Sequence, residues 1–171
     1  MVTAAAREIG LSSNDIEKGF SQFKGVNHRL EYIGRYKNIK FFNDSKATNY
    51  DSASAGLQAM PSQTIVIAGG EEKKGDPADW LKEINNKACV IILYGSSAYK
   101  FKTIIRESGF KKQIYIHHNL RNATEEAMNI AIKEKPSCVI LSPAASSFDQ
   151  YKNYEERGNE FKEILMPFFN L

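Results

Sequence analysis

Three short polar loops hold the residues of this chain with chemistry to offer. In Asn43-Asp44-Ser45-Lys46-Ala47-Thr48-Asn49 an acid and a lysine stand just before a helix-like run, and Thr48-x-x-Asp51 has the spacing of a hydroxyl cap answered by an acid at the third helical position. An ammonium beside unpaired backbone N–H groups attracts an anion, and the Asp44 carboxylate could accept ribose hydroxyls or balance Lys46. The second loop, Ala68-Gly69-Gly70-Glu71-Glu72-Lys73-Lys74-Gly75, lets the backbone approach a ligand closely at its paired glycines and offers Lys73 or Lys74 to the same site. Two lysines on neighbouring loops suit a dicarboxylate or a phosphate. In the third, Leu141-Ser142-Pro143-Ala144-Ala145-Ser146-Ser147-Phe148-Asp149-Gln150, the pairs Ser146/Asp149 and Ser147/Gln150 both have capping-box spacing, and small side chains leave a helix N-terminus open to a carboxylate. Taken singly, each loop also reads as an ordinary cap or turn.

Other chemistries find no support. The serines lack both a G-x-S-x-G elbow and a histidine placed beside them, which argues against a serine nucleophile. No G-x-x-x-x-G-K-[ST] cradle and no G-x-G-x-x-G fingerprint occurs, so a self-contained kinase, ATPase or dehydrogenase is disfavoured. His117 and His118 end a strand-like run, where neighbours point to opposite faces, and read as surface residues with no joint metal ligation. His28-Arg29 reads as a solvated basic pair, functional only if another domain faces it.

The loops gain meaning from the elements that carry them. Leu30 to Tyr36 and Ile39 to Phe42 flank Lys37-Asn38 as a β-hairpin, and a helix follows from Tyr50 to Met60. Strand-like and helix-like runs then alternate: Thr64 to Ala68 and Pro77 to Asn85, with Asp76 as the cap; Ala88 to Tyr94 and Ala98 to Glu107; Gln113 to Ile116 and Ala123 to Lys133; Cys138 to Leu141 and Asp149 to Leu165. Short Val/Ile/Leu runs without polar alternation are strands covered on both faces. The expected fold is α/β, a Rossmann-like three-layer domain over 27–171 with a mostly parallel sheet of about six strands, started by the hairpin. In such a sheet ligands sit outside the carboxyl ends of the strands, where all three loops fall. Phe161, Leu165, Phe168 and Phe169 read as a C-terminal helix and tail packed on that sheet. Residues 1–26, with helix-favouring Val2 to Ile9 and Ser13 to Phe20, are too short for a core of their own and read as the end of something larger.

Composition fits this picture. The 171 residues are 42% hydrophobic and 25% charged, with a net charge of +3 whose lysines and arginines are scattered, so a folded domain with no nucleic-acid partner is expected. Cys89 and Cys138 lie in apolar runs and read as buried, reduced core residues of a cytoplasmic protein. No window is long and apolar enough to span a membrane.

Together, His28-Arg29-Leu30-Glu31, the Asp44 to Asn49 loop, Gly69-Gly70-x-x-Lys73 and the stretch from Leu141 to Gly158 resemble the C-terminal domain of the Mur ligase family. Within it they resemble the MurD group, which joins D-glutamate to UDP-N-acetylmuramoyl-L-alanine in peptidoglycan synthesis. The resemblance runs from about Met1 to Leu165. It implies an ATP-dependent, three-domain ligase. Residues 1–26 would be the last helical part of the central ATPase domain, and 27–171 the domain that brings the amino acid. Such a fragment would be inactive alone and monomeric, with the ATP phosphate loop and the Mg²⁺ ligands in the part it lacks. By the same resemblance Arg29 and Asp44 contact the nucleotide, and Lys46 serves catalysis near the transferred phosphate. Thr48 and Lys73 hold the D-glutamate side-chain carboxylate, Ser147 and the Phe148 backbone its α-carboxylate, and Tyr154 lines the pocket. Two alternatives remain at this level: a free-standing module for a small anion, or another Mur or folylpolyglutamate-type ligase domain.

Overall fold

The computed structural model describes residues 2–23 and 25–169. Met1, Asn170 and Leu171, at the ends of the two expected domains, and Lys24 in the linker lie outside the described residues. After helices α1 (Val2–Glu8) and α2 (Ser13–Gln22) come β1 (Glu31–Tyr36), β2 (Ile39–Asn43), α3 (Tyr50–Gln58), β3 (Thr64–Gly69) and α4 (Ala78–Lys87). There follow β4 (Ala88–Tyr94), α5 (Ala98–Glu107), β5 (Gln113–His117), α6 (Leu120–Glu134), β6 (Cys138–Leu141) and α7 (Tyr154–Phe169). The strands form one six-stranded sheet in the order β1-β2-β6-β3-β4-β5, parallel except for the β1–β2 hairpin.

The alternation of side chains along the central strands creates two cores. On β3, Val66 and Ala68 face one side with Tyr50, Leu57, Trp80, Ile84, Phe101 and Ile105 of α3, α4 and α5. Ile65 and Ile67 face the other with Leu120, Ala123 and Ala127 of α6 and Phe161 and Leu165 of α7. Every residue of β3 and β6 is buried, which explains why these segments carry no polar alternation. Phe168 and Phe169 pack against the second core, as the C-terminal apolar cluster suggested.

Register determines the site. Asn43 lies opposite Leu141, and Leu141 opposite Ile67, so β2, β6 and β3 end side by side and release their loops on the same edge.

Several local expectations differ from the structure. Asn49, not Thr48, caps α3, its side chain accepting the Ser52 N–H at 2.8 Å; asparagine caps as well as threonine, and the chain enters the helix one residue later. Helix α7 begins at Tyr154 rather than Asp149, because Asn153 accepts the Glu156 N–H at 2.8 Å. The residues before it make a single turn, with Gln150 and Tyr151 N–H on the Ser147 carbonyl. α6 starts at Leu120, earlier than expected, on an Asn119 cap. Cys138 is buried, but Cys89 is only partly so; both are free thiols. His118 is exposed, whereas His117 is half-buried, because β5 is an edge strand covered by α5 and α6. No helix among the described residues is long and apolar enough to cross a membrane.

Phe161 joins α7 to the second core and is fully buried. Phe161→Ala is expected to lower unfolding stability by about 3–5 kcal/mol, read as a fall in the urea midpoint without a change of slope.

Candidate functional site

The site is held together by an arginine that the loop motifs alone did not single out. Arg157, in the first turn of α7, is fully buried. Its Nε donates to Ser45 Oγ at 3.0 Å, Nη2 to the Ser45 carbonyl at 2.8 Å, and Nη1 to the Ala145 and Ser146 carbonyls, each at 3.0 Å. Among the described residues no carboxylate lies within ion-pair distance of it. A buried cation is tolerated here because its N–H fork is matched by carbonyl and hydroxyl oxygens. The guanidinium thereby ties the first loop to the third.

The second loop is joined to the third directly. Glu71 and Ser146 exchange backbone hydrogen bonds of 3.0 and 2.8 Å, and Ser146 Oγ also donates to the Glu71 carbonyl at 3.1 Å. Gly70, at φ +127°, permits this closeness: a Cβ there would lie 2.2 Å from the Ser146 carbonyl and 3.1 Å from Arg157 Nη1. Asn43 adds a further tie, its Nδ2 donating to the Gly158 carbonyl at 3.2 Å while its Oδ1 accepts the Ser45 N–H at 3.1 Å. His28 is 6% exposed, 3.0 Å from Asn43 Nδ2 through Nδ1, and a Cβ on Gly158 would lie 2.2 Å from that nitrogen. The expectation of a solvated His28 is therefore corrected: Gly158 leaves a niche, and the imidazole fills it. His28, Leu30 and Ala144 hold φ of 63°, 43° and 55°, so the backbone around the site occupies a left-handed region that side chains disfavour.

Arg29, Asp44, Lys46 and Thr48 line one open cleft of about 410 Å³, together with Leu30 and Gly56. Because Asn49 takes the cap of α3, Thr48 faces this cleft instead. Asp44 is 6% exposed; its Oδ1 accepts the Leu30 N–H at 3.1 Å and its Oδ2 the Ser142 hydroxyl at 3.0 Å. Burial pushes its carboxyl up to about 6, against those two hydrogen bonds and the charge of Arg29, which pull it down. Asp44 does not balance Lys46. The Lys46 ammonium rests 3.8 Å from the centroid of the Tyr154 ring, a cation–π arrangement, and Tyr154 meets the His28 ring edge-on at 6.0 Å.

Lys73, Ser147 and Phe148 are not among the residues lining this cleft but sit on the two loops bridged at Glu71–Ser146. Lys73 is exposed, Ser147 is buried, and Phe148 is 67% exposed. Among the described residues, the Ser147 and Phe148 N–H groups donate to no protein acceptor. The peptide geometry accounts for the first of these: a carbonyl and the next N–H point in opposite directions, so drawing the Ser146 carbonyl onto Arg157 turns the Ser147 N–H away from it. The open donors expected of a helix N-terminus thus come from a single pinned turn. Among the described residues no cluster of three or more His, Cys, Asp or Glu could hold a metal ion.

Residues 28–145 match the family model described as Mur ligase, glutamate ligase domain. The chain belongs to the Mur ligase family. A relative named UDP-N-acetylmuramoylalanine--D-glutamate ligase, from Parasynechococcus marenigrum (strain WH8102), is 46% identical over 165 residues, 96% of this chain and 36% of that protein. One of the same name from Prochlorococcus marinus (strain MIT 9313) is 42% identical over 96% of this chain and 36% of that protein. The chain therefore spans about a third of the length of the curated relatives it matches. Among solved structures, the Mur ligase domain resembles part of UDP-N-acetylmuramate-alanine ligase MurC from Thermotoga maritima, with a TM-score of 0.65, 15% identity, and coverage of 97% of this chain and 36% of that one. Folylpolyglutamate synthase from Mycobacterium tuberculosis gives a TM-score of 0.63 at 16% identity, over 89% of this chain and 36% of that one. At such identities the likeness is one of fold.

The raised Asp44 value has a measurable consequence. The folded state holds this proton between about pH 4 and pH 6 while the unfolded chain has released it, so the group's contribution is complete below pH 4 and is lost as pH rises through about 6. Chemical denaturation across pH 4 to 7 is expected to show stability falling by on the order of 2–3 kcal/mol relative to Asp44→Asn, in which this titration is absent.

Proposed function

We propose that this chain is the amino-acid-docking domain of an ATP-dependent ligase that adds D-glutamate to UDP-N-acetylmuramoyl-L-alanine. The observation carrying this reading is the edge formed by β2, β6 and β3, where three loops tied through Arg157 and the Glu71–Ser146 bridge carry lysines in no ion pair and amides with no protein acceptor among the described residues. An amino acid with two carboxylates needs two such anion sites set apart from one another. The activity for which the relatives are named suggests the substrate class.

In this reading Thr48 and Lys73 receive the side-chain carboxylate, and Ser147 with the Phe148 N–H receives the α-carboxylate. Tyr154 walls the pocket and holds Lys46 on its ring until the acceptor and nucleotide draw the ammonium forward. The Ser147 and Phe148 amides, on the turn pinned by Arg157, act by being preorganised. Arg29 and Asp44 face the nucleotide, and the open cleft they line suits a ribose and a phosphate better than a buried apolar ligand. ATP, when bound, supplies the phosphoryl group that activates the acceptor carboxylate, and Mg²⁺ accompanies it, held by parts of a ligase beyond this chain.

The domain division follows the same logic. Helices α1 and α2 bury no residue, and Val2, Leu11, Phe20 and Phe23 are exposed along a shared apolar trough. Residues 1–26 are assigned to the neighbouring central domain, which would cover that trough, and 27–171 to the docking domain. We place the ligase in the cytoplasm as a monomer.

In a full-length ligase carrying this chain, Lys73→Ala and Thr48→Ala are each expected to raise the D-glutamate KM by tenfold or more, about 1.4 kcal/mol, and to leave the UDP-substrate KM within twofold. Steady-state kinetics with each substrate varied in turn checks this. Equal losses for both substrates would remove the assignment.

A further inference from the structure

The Glu71-Glu72-Lys73-Lys74 run uses its two acids and its two lysines for different ends. Glu71 is engaged with Ser146, its carboxylate accepting the Ser146 hydroxyl at 3.1 Å in addition to the backbone bridge. Glu72 turns the other way. Its Oε1 accepts the Tyr50 hydroxyl at 2.7 Å, and its Oε2 accepts Lys100 Nζ at 2.6 Å. These partners come from the first turns of α3 and α5, so one carboxylate ties the loop after β3 to both flanking helices.

Tyr50 is a firm anchor. It is 4% exposed and packs with Trp80 and Phe101 at ring separations of 5.3 and 5.8 Å. Gly75 seats the far side of the loop on the same ring: a Cβ there would lie 3.3 Å from Tyr50 Cδ2. Asp76 Oδ1 then accepts the Ala78 N–H at 2.9 Å and closes the loop onto α4. Lys73 and Lys74 thus lie between two fixed points, Glu72 and Gly75, with their side chains exposed and, among the described residues, in no ion pair. Burial alone would raise the Glu72 carboxyl, but the hydrogen bonds from Lys100 and Tyr50 outweigh it and hold it below the usual value, so the latch stays charged at neutral pH.

An untethered Glu72 would do two kinds of damage. It would free the loop that carries Lys73, and its carboxylate would compete with an anionic ligand for that lysine. We propose that Glu72 is a positioning residue for the anionic substrate: latched by Tyr50 and Lys100, it fixes the loop so that Lys73 is presented, unpaired, to the ligand carboxylate. This rests on the reading above that Lys73 meets the D-glutamate side chain, and it adds how that lysine is kept available. Lys100 is 62% exposed, so its contact with Glu72 matters for where the carboxylate lies more than for global stability.

The test is a kinetic cycle in the full-length ligase with Glu72→Gln, Tyr50→Phe, Lys73→Ala and the double variant Glu72→Gln/Lys73→Ala. Glu72→Gln and Tyr50→Phe are expected to raise the D-glutamate KM about five- to tenfold, with kcat and the KM values for ATP and the UDP substrate within twofold. Glu72→Gln is expected to add nothing once Lys73 is gone, because its effect passes through that lysine. A Glu72→Gln enzyme with unchanged D-glutamate KM overturns the proposal, as does a double variant whose loss is the product of the single losses. Tyr50→Phe keeps the packed ring and loses only the hydroxyl, so it decides the matter if Glu72→Gln folds poorly. An unchanged KM in Lys73→Ala would instead overturn the assignment of Lys73 itself and this inference with it.

Discussion

A single buried cation organises the carboxyl edge of this sheet. Removing the Arg157 guanidinium from water carries a large cost, and no carboxylate among the described residues offsets it. What offsets it is a set of carbonyls from two loops that are 100 residues apart in the chain, Ser45 on one side and Ala145 and Ser146 on the other. Because the cost is met only when both loops are in place, the arginine makes their separation all-or-none. The Glu71–Ser146 bridge then carries the second loop along with the third.

The same contacts account for the chemistry of the surface above. Carbonyls drawn inward leave the Ser147 N–H facing outward, and a positive group beneath the loops favours anions over them. The Lys46 ammonium rests on the Tyr154 ring and, among the described residues, in no ion pair, so no carboxylate neutralises its charge. Asp44, desolvated and doubly hydrogen-bonded, braces β6 through Ser142 and the His28–Leu30 segment through the Leu30 amide. Left-handed backbone at His28, Leu30 and Ala144 is sustained by these ties; strain of this sort survives only where the surroundings over-determine it.

Much of the architecture could be read from residues in order. The apolar runs at β3, β4 and β6 have one physical meaning, burial on both faces, and their bounds lie within a residue of those in the structure. Helix starts were harder, because Thr48 and Asn49, or Ser147 and Asn153, are equivalent as local caps and the choice depends on how the chain leaves the preceding strand. His28 could not be recognised as buried from its neighbours, since the space it fills is the missing side chain of Gly158, more than a hundred residues away. Arg157 falls within the stretch from Leu141 to Gly158 that carries the family resemblance, but nothing in its own helix shows that it is fully buried. The Tyr50–Glu72–Lys100 latch joins three separate elements, and nothing in a run of Glu and Lys tells which acid will be engaged.

By itself the sequence determined the α/β alternation, the edge of the sheet on which the three polar loops gather, and the charged and hydroxyl residue types those loops carry, because strand periodicity and turn chemistry are local properties. Only the tertiary structure decided which of those residues share a cleft, which are spent on holding loops, and which amides stay open. Those outcomes depend on long-range register, Asn43 beside Leu141 beside Ile67, and on burying one guanidinium among distant carbonyls. No short stretch of chain contains that information.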